Sequence, residues 1–405
     1  MKLAIVTAYP KSNITLNEYA YHLVKHFRQR EDITELVLLT DTTTDGKKDI
    51  EFTESGCKIT IKECWSFNSY KNVFSVTRAI NKTKPDSILF NLQFTKFGNK
   101  KVAAALGLML PLICKLKNIP SIALLHNTFD EVGLDNKKFA NSKLMKKING
   151  FIGKTLTRLV LQADVVAVTM KKHVKYLKSE YNAENIELIP HGTFEILEEP
   201  SFDIPLQPFK VLAFGKFGTC KKVETLIQAV EKIKAYSNLN LELVIAGTDN
   251  PSTPGYLEMV KKAYGHIEGL TFTGYVEEKD VPKLFMESSL IVLPYTEANG
   301  SSGVLHQAGG YAKAVAIPNL GDLPHLVNEA GYRCEFFEPK SICSLALAIQ
   351  KILENNSYRA ELERANYKAA TAYPMSRITN MYVNTFQSII LKKKKEKLQE
   401  QQAIA

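Results

Sequence analysis

The chain has 405 residues, of which 45% are hydrophobic and 23% charged, and its formal net charge is +10. This length favours two domains, and the composition is that of a globular protein rather than a disordered or fibrous one. The positive charge suits phosphorylated ligands, anionic membranes or nucleic acid. Because the sequence has no nucleic-acid recognition motif and no aromatic-rich basic platform, we expect no nucleic-acid partner.

The cysteines and the apolar segments indicate where the protein works. The six cysteines show no C-x-x-C pair and no clustering with histidine, so they predict neither a zinc site nor a disulfide framework. The apolar run at residues 1–6 is too short for a signal peptide, and the longest apolar stretch, 102–114, is shorter than the roughly 20 residues that cross a bilayer. We therefore expect a cytoplasmic protein without a transmembrane segment.

In the first half of the chain, short runs rich in β-branched residues alternate with longer segments of helical period. This pattern predicts a parallel sheet covered by helices, which we assign to a first Rossmann-like domain over residues 1–200. The predicted strands are Lys2–Thr7, Leu36–Leu39, Lys58–Ile61, Ser87–Asn91, Ser121–Leu125, Val165–Thr169 and Ile186–Ile189. The loop after the first strand contains Asn13, Ile14 and Thr15.

A proline-rich passage at 198–208 interrupts this pattern and predicts an interdomain linker. The alternation then resumes and defines a second Rossmann-like domain over residues 209–373. Its predicted strands are Lys210–Phe214, Leu241–Ala246, Leu270–Thr273, Leu290–Pro294 and Ala314–Ile317, and its predicted helices are Leu226–Tyr236, Val281–Glu287, Ser302–Tyr311 and Ile342–Asn355. Since open parallel sheets bind ligands at the carboxyl ends of their strands, the sequence predicts an α/β protein whose two domains face each other across a ligand-binding cleft.

The most informative passage is 294–305, where a buried strand leads through Glu297 and a loop of small residues into a helix. N–H groups in the first turn of a helix have no partner within the helix and lie at the positive end of its dipole. They bind anions where the side chains are small enough to allow close approach. The alternative is an ordinary strand-to-helix turn with Ser301 or Ser302 as the N-cap.

Three other passages also follow predicted strands. Gly215 and Lys216 come directly after the strand 210–214 and Lys221 lies a few residues further on, so two ammonium groups would bracket a diphosphate; a solvated turn is the alternative. His126 follows the strand 121–125, where its imidazole either faces the cleft or has a structural role. His191 is interpreted as a turn residue.

In this order, the motifs resemble a retaining, nucleotide-sugar-dependent glycosyltransferase of family 4, which has the two-domain GT-B fold. The resemblance covers essentially the whole chain and is densest over 210–326. Residues 214–227 resemble the family's basic element for the donor diphosphate, and 319–326 its G-G-x-P-E-L turn. Residues 373–378 resemble its final element, which implies a carboxyl-terminal helix at 374–392 that packs back on the first domain, followed by a basic tail at 393–405.

The resemblance implies transfer of a sugar from a nucleoside diphosphate sugar to an acceptor hydroxyl, with the anomeric configuration retained and no metal or cofactor required. The catalytic residues would be His126, Glu297, Lys216 and Lys221. The donor-binding residues would be Gly215, Asn299, Gly300, Ser301, Ser302, Gly303, Val304 and Gln307. Asn13, Ile14 and Thr15 would lie on the acceptor side. Positive charge around the departing diphosphate is the larger catalytic contribution in such a reaction.

The sequence departs from the family's pattern in the donor loop and its helix, and in the loop after the first strand. The family's two glutamates, separated by seven residues, are replaced here by Asn299 and Gln307, with Glu297 just before them. An amide can hydrogen-bond a diol, although more weakly than an ionised carboxylate can. The loop at 13–15 also lacks the family's usual pair of glycines.

The basic residues suggest an acceptor. The segment 137–160 is basic with an apolar side, as in an interfacial helix, and Lys392–Lys395 adds further charge. The alternative is a solvated helix whose apolar stripe packs on the sheet. The first interpretation predicts peripheral attachment to an anionic membrane, on its inner face, and a carbohydrate or lipid-linked acceptor in polysaccharide or glycolipid assembly.

Two other functions stay open: a non-catalytic glycosyltransferase-like binding subunit, favoured by Gln307, and a sugar-nucleotide epimerase of the same architecture. A dinucleotide oxidoreductase is disfavoured, because no G-x-G-x-x-G follows the first strand.

Overall fold

The computed structural model describes the chain apart from residues 11, 13, 15, 44–48, 129–142, 195–199 and 405. The chain divides into two compact units, Met1–Pro190 with Met375–Ala405 and His191–Pro374. The first boundary thus falls at Pro190 rather than at residue 200, because Thr193 already bonds inside the second unit, where its N–H donates to the carbonyl of Tyr373. Residues 200–208 of the predicted linker lie in neither a helix nor a strand.

The first unit is built on an eight-stranded sheet with the order β3-β4-β2-β1-β5-β6-β7-β8. Its strands are β1 (Lys2–Val6), β2 (Glu35–Asp41), β3 (Ile50–Glu54), β4 (Cys57–Trp65), β5 (Ser87–Leu92), β6 (Ser121–Leu125), β7 (Val165–Val168) and β8 (Ile186–Leu188). The seven predicted strands are confirmed. The sequence did not predict β3, which pairs antiparallel with β4, because all five of its residues are exposed and it therefore lacks a buried apolar run.

The helices that follow these strands cover the sheet. They are α1 (Asn17–Phe27), α2 (Asn72–Thr83), α3 (Lys101–Leu108), α4 (Leu110–Leu116), α5 (Lys143–Val160) and α6 (Lys171–Tyr181). In the described half of the basic segment, Leu156 and Val160 of α5 are buried in the core, and Ile152 and Leu159 pack against it. The apolar stripe therefore packs on the first unit, as in the alternative interpretation, although Phe151 stays 71% exposed.

The second unit contains a six-stranded, all-parallel sheet with the order β11-β10-β9-β12-β13-β14. Its strands are β9 (Phe209–Phe217), β10 (Leu241–Asp249), β11 (Leu270–Gly274), β12 (Leu290–Val292), β13 (Val315–Pro318) and β14 (Glu335–Phe337). Its helices are α7 (Glu224–Tyr236), α8 (Tyr256–Tyr264), α9 (Val281–Met286), α10 (Gly303–Gly310), α11 (Leu323–Ala330), α12 (Ile342–Glu354) and α13 (Asn356–Thr371). The predicted strands and helices of this half are confirmed.

Four elements of the second unit were not predicted: the strand β14 and the helices α8, α11 and α13. The strand β14 has only three residues, too few to show a pattern. The helix α13 lacks an apolar stripe because its buried face is largely polar: Arg359 and Glu363 form a buried ion pair, 3.2 Å apart, and Asn366 is fully buried.

The carboxyl-terminal helix α14 (Met375–Ile404) belongs to the first unit, as predicted. Its apolar face is fully buried there, and the ring of Tyr382 lies 6.3 Å from that of Phe27. The helix continues to Ile404, into the segment interpreted as a basic tail, and Lys393 is held by Asp164, 2.9 Å away, and by Asn118. None of the described helices is both long enough and apolar enough to cross a bilayer.

Candidate active site

In the second unit the strand order reverses at β9, which has β10 on one side and β12 on the other. Ligands of open parallel sheets bind beside such a reversal, at the carboxyl ends of the strands. Because Leu212 of β9 pairs with Ile291 of β12, the segments that end these two strands lie next to each other. We call these segments, residues 215–222 and 293–303, the anion cradle.

Backbone hydrogen bonds fasten the two halves of the anion cradle together. The Lys222 N–H donates to the carbonyl of Pro294 at 3.0 Å, and the Thr296 N–H donates to the carbonyl of Cys220 at 2.8 Å. Lys221 and Tyr295 are thereby paired as an antiparallel bridge. Their side chains project from backbone that is fixed on both sides.

Gly215 provides the space for the Lys221 ammonium group. It has φ of +131°, and a Cβ at this position would lie 2.6 Å from Lys221 Nζ. On the neighbouring strand, a Cβ at Gly247 would lie 1.8 Å from the carbonyl oxygen of Gly215. Any side chain at either glycine would displace the lysine or the end of β9.

Tyr295 connects Lys221 to the beginning of α10. Its ring centre lies 4.8 Å from Lys221 Nζ, which is a cation–π contact, and its hydroxyl lies 2.9 Å from Ser302 Oγ. Ser302 is the N-cap of α10, and its hydroxyl oxygen accepts the N–H of Leu305. The lysine charge and the positive end of the helix dipole therefore lie within the length of one tyrosine side chain.

The loop that enters α10 is held by Asp322, which is 1% exposed. Its carboxylate accepts the Gly300 N–H at 2.8 Å, and its own N–H donates to the carbonyl of Ala298 at 3.2 Å. Gly300 adopts a φ of +81°, as suits a residue without a side chain. Within the described chain, the N–H groups of Ser301, Ser302 and Gly303 donate to no protein acceptor, so they remain open to a ligand.

Gly303 and Gln307 are partly exposed, whereas the other residues of α10 are buried. They are four positions apart and therefore lie on one face of the helix, in line with the open N–H groups. Val304, the next residue after the anion cradle, is buried, so its side chain packs inside the unit.

The remaining predicted residues of the second unit, Lys216, Glu297 and Asn299, belong to the anion cradle. Lys216 is half-buried near the end of β9 and pairs in register with Thr248 of β10. Glu297 and Asn299 are exposed, and Glu297 Oε2 is 3.9 Å from Cys220 Sγ. Among the described residues, neither Lys216 nor Lys221 forms an ion pair with a carboxylate.

A group of side chains behind the anion cradle was not recognised from the sequence. His306 Nε2 lies 2.8 Å from Ser301 Oγ, and His306 Nδ1 lies 2.8 Å from Tyr332 Oη. His191, interpreted above as a turn residue, stacks on His306. The only sequence signal was a histidine one turn into a helix of small and apolar residues.

Burial sets the charge of this histidine pair. It lowers the pKa of His191 to about 4, and it lowers the pKa of His306 well below its usual value, an effect that His191 reinforces. Both imidazoles are therefore neutral at neutral pH.

The first unit contains His126, at the end of β6. Its Nε2 lies 2.8 Å from Asn91 Oδ1, and the Asn91 amide donates to Thr7 Oγ1 at 2.9 Å. Tyr19 meets the imidazole edge to face, with 4.8 Å between ring centres. His126 thus lies in a polar network across the carboxyl ends of β6, β5 and β1, and its place beside a donor sugar stays a prediction.

The loop after β1 is only partly described. Asn13 and Thr15 lie outside the described residues, whereas Ile14 packs against the first core. The Ile14 N–H donates to Ser12 Oγ, which itself donates to Asp41. In the part of the chain that the structure describes, no group of three or more His, Cys, Asp or Glu side chains is arranged to hold a metal ion.

Comparison with known proteins agrees with this architecture. Residues 196–369 match the family model described as glycosyl transferases group 1. The second unit is therefore a glycosyl transferases group 1 domain, and the protein is a glycosyltransferase with the GT-B fold, as predicted. No curated protein sequence matches the chain.

Solved structures show the same fold over nearly the whole chain. Sucrose-phosphate synthase from Thermosynechococcus elongatus superposes with a TM-score of 0.75 at 17% identity, covering 97% of this chain and 100% of that one. Anabaena HepE in complex with UDP-glucose gives 0.65 at 14% identity, covering 96% and 100%. A glycosyltransferase from Rickettsia africae also gives 0.65 at 14% identity, covering 96% and 99%.

Proposed function

We propose that the protein transfers a sugar from a nucleoside diphosphate sugar to an acceptor hydroxyl and retains the anomeric configuration. The main evidence for this proposal is the anion cradle. It combines the Lys221 ammonium group, which no carboxylate neutralises among the described residues, with three open N–H groups at the start of α10. A diphosphate is the ligand whose charge and acceptor oxygens suit such a set.

The same groups would promote the reaction. When the bond between the anomeric carbon and the diphosphate breaks, negative charge grows on the departing phosphate oxygens. In this proposal Lys216, Lys221 and the open N–H groups of Ser301 to Gly303 face this charge from fixed positions, which lowers the barrier without reorganisation. In this proposal they supply the positive charge that a divalent cation would otherwise bring.

The state of the carboxylates near the anion cradle argues against a covalent intermediate on the route to retention. Asp322 is buried and committed to the Gly300 N–H, and Glu297 is exposed on the loop. Neither is in the buried, unpaired state of a carboxylate nucleophile. We infer that the acceptor hydroxyl attacks from the side that the diphosphate leaves, and that the departing phosphate oxygen takes the acceptor's proton.

The solved structures with the same fold suggest which sugar donors to test first. Because Anabaena HepE was crystallised with UDP-glucose, UDP sugars are the first donors to test, followed by GDP and ADP sugars. Thermal shift with each nucleotide sugar should single out one base, since a ligand that binds only the folded protein raises its melting temperature. The best donor is then incubated with carbohydrate and lipid-linked acceptors, and the anomeric configuration of the product is read by NMR. Binding of no nucleotide sugar, or inversion in the product, would contradict the proposal.

We further propose that the protein works in the cytoplasm, at an anionic membrane surface, in polysaccharide or glycolipid assembly. The net charge of +10 and the exposed Phe151, which lies close to Lys154 and Arg158 on α5, support membrane attachment. The six free thiols suit a reducing compartment. Sedimentation with vesicles rich in phosphatidylglycerol should show binding that salt weakens, and Phe151→Ser should reduce it; absence of binding at low salt would contradict this part of the proposal.

A non-catalytic binding subunit is the second candidate, because amides stand at Asn299 and Gln307 where the family carries glutamates. This function would give donor or oligosaccharide binding without turnover. Gln307→Glu separates the two candidates, since a weakened but active enzyme should gain activity whereas a binding subunit should gain none. An epimerase would instead convert the donor in the absence of any acceptor.

A further inference from the structure

His306 lies in a continuous chain of polar side chains that ends in the anion cradle. The Tyr332 hydroxyl lies 2.8 Å from His306 Nδ1, and His306 Nε2 lies 2.8 Å from Ser301 Oγ. We propose that His306 is a positioning residue, whose Nδ1 accepts a hydrogen bond from the Tyr332 hydroxyl and whose Nε2–H donates one to Ser301 Oγ, so that the Ser301 hydroxyl is free to donate to a donor phosphate. The inference rests on the proposed function, because it assigns one more contact to the same diphosphate.

Counting protons limits the chain to two possible directions. A neutral imidazole has one N–H donor and one bare nitrogen, so its two hydrogen bonds must run in opposite senses. In one sense Tyr332 donates to His306 Nδ1 and His306 Nε2–H donates to Ser301; in the other, Ser301 donates to Nε2 and Nδ1–H donates to Tyr332. Only the first sense leaves a Ser301 proton for the anion that the neighbouring open N–H groups attract.

This arrangement leaves Ser301 with an unused proton. Its oxygen accepts from His306, so its own O–H is free to turn elsewhere. Ser301 is half-buried and directly precedes the N-cap Ser302, in the segment whose N–H groups are open. A hydroxyl donor at this place adds to the positive end of α10 and points, like the N–H groups, to an anion.

The surroundings fix the imidazole in position. The His191 ring stacks on one face of it, with 4.9 Å between centres and 5° between planes. Tyr332 is able to approach because residue 309 is glycine: a Cβ there would lie 2.7 Å from Tyr332 Cε1. His306 is therefore held by packing as well as by its two hydrogen bonds, which is what a positioning role requires.

The test measures binding of UDP and of uridine, which lacks phosphate, by titration calorimetry. His306→Leu and Ser301→Ala should each weaken UDP about tenfold, the value of one hydrogen bond to a charged group, and leave uridine binding unchanged. The double variant should be no weaker than either single variant, because both remove the same contact. His306→Gln, whose amide nitrogen can still donate to Ser301, should keep most of the affinity.

Unchanged UDP affinity in His306→Leu, or losses that add in the double variant, would overturn the inference. A second measurement does not depend on any variant folding: long-range ¹H–¹⁵N correlation spectra of histidine-labelled wild type should show His306 protonated at Nε2 alone. Protonation at Nδ1 would equally overturn it. If the wild type binds no nucleoside diphosphate, the proposed function fails, whereas the tautomer still decides the direction of the hydrogen-bond chain.

Discussion

The imidazole rings of His191 and His306 lie parallel, 4.9 Å apart, and join the first residue of the second unit to the helix that follows the anion cradle. Both rings are buried, so a proton on either one would place a charge in a desolvated site against its neighbour. The packing that fixes His306 therefore also makes the second unit sensitive to acid.

Stability should fall as the pH is lowered from about 6.5 towards 4. The folded-state pKa of His191 is about 4, below its unfolded value of 6.5, so between these values the unfolded chain binds the extra proton. The contribution is fully present above pH 6.5, and about 3 kcal/mol is lost as the pH falls through 4. Urea denaturation at pH 7.5 and pH 5 measures the effect. His191→Phe, which keeps a stacked ring that does not titrate, should flatten the dependence, whereas His325→Phe, at an exposed position, should not.

Lys221→Met should weaken UDP binding by roughly tenfold or more, because a charged donor to the diphosphate is lost while the aliphatic chain remains. The matched control is Lys222→Met, since Lys222 is the exposed neighbour on the same loop. The loss should shrink at high salt and be absent for uridine. Equal effects of the two substitutions would show that Lys221 has no specific role.

Asp322→Ala should lower the unfolding free energy by about 1–3 kcal/mol, because it leaves the buried Gly300 N–H without an acceptor. It should also weaken nucleotide binding, since the loop that presents Ser301 to Gly303 loses its anchor. Asn355→Ala is the control: it removes the N-cap of α13, which accepts the Tyr358 N–H at 2.9 Å, and should cost about 1 kcal/mol without affecting binding.

Gly309→Ala should destabilise the protein by about 1–3 kcal/mol, although alanine is the better helix former. The added Cβ would lie 2.7 Å from Tyr332 Cε1 and 2.9 Å from the backbone oxygen of Asn366. Gly150→Ala, on α5 with no atom within 4 Å of the new Cβ, should instead stabilise by about 0.5–1 kcal/mol. Thermal denaturation of both variants measures the steric cost at residue 309 against the gain in helix propensity at residue 150. An undiminished melting temperature of Gly309→Ala would show that Tyr332 is able to move away from the new Cβ.

Much of the fold was predictable because buried parallel strands appear in the sequence as short runs of apolar residues. Leu290–Val292 and Leu241–Asp249 are of this kind. The anion cradle was predictable for a related reason: glycines stand where a side chain would clash or strain the backbone, Gly215 near the end of β9 and Gly300 in the loop that enters α10. The second unit's helix α13 was missed because its buried face is polar, a feature that no hydrophobic period reveals.

The polar chain behind the anion cradle could not be found from the sequence. His191, His306 and Tyr332 come from three separate segments, and only the folded unit brings them together. Asp322 could not be recognised from the sequence either, because its role is to accept the N–H of Gly300, 22 residues earlier in the chain. Residues that act through long-range hydrogen bonds leave no local pattern to recognise.

The position of α14 has a consequence for how the protein is made. The α14 residues Ile378, Tyr382, Val383 and Phe386 are fully buried in the first unit, yet they are synthesised after the whole of the second unit. When residues 1–190 have emerged from the ribosome, the first unit therefore still lacks the part of its core that α14 supplies. We expect the second unit, which is continuous in sequence, to reach its native state first, and any message truncated before codon 375 to yield a product that chaperones or proteases recognise.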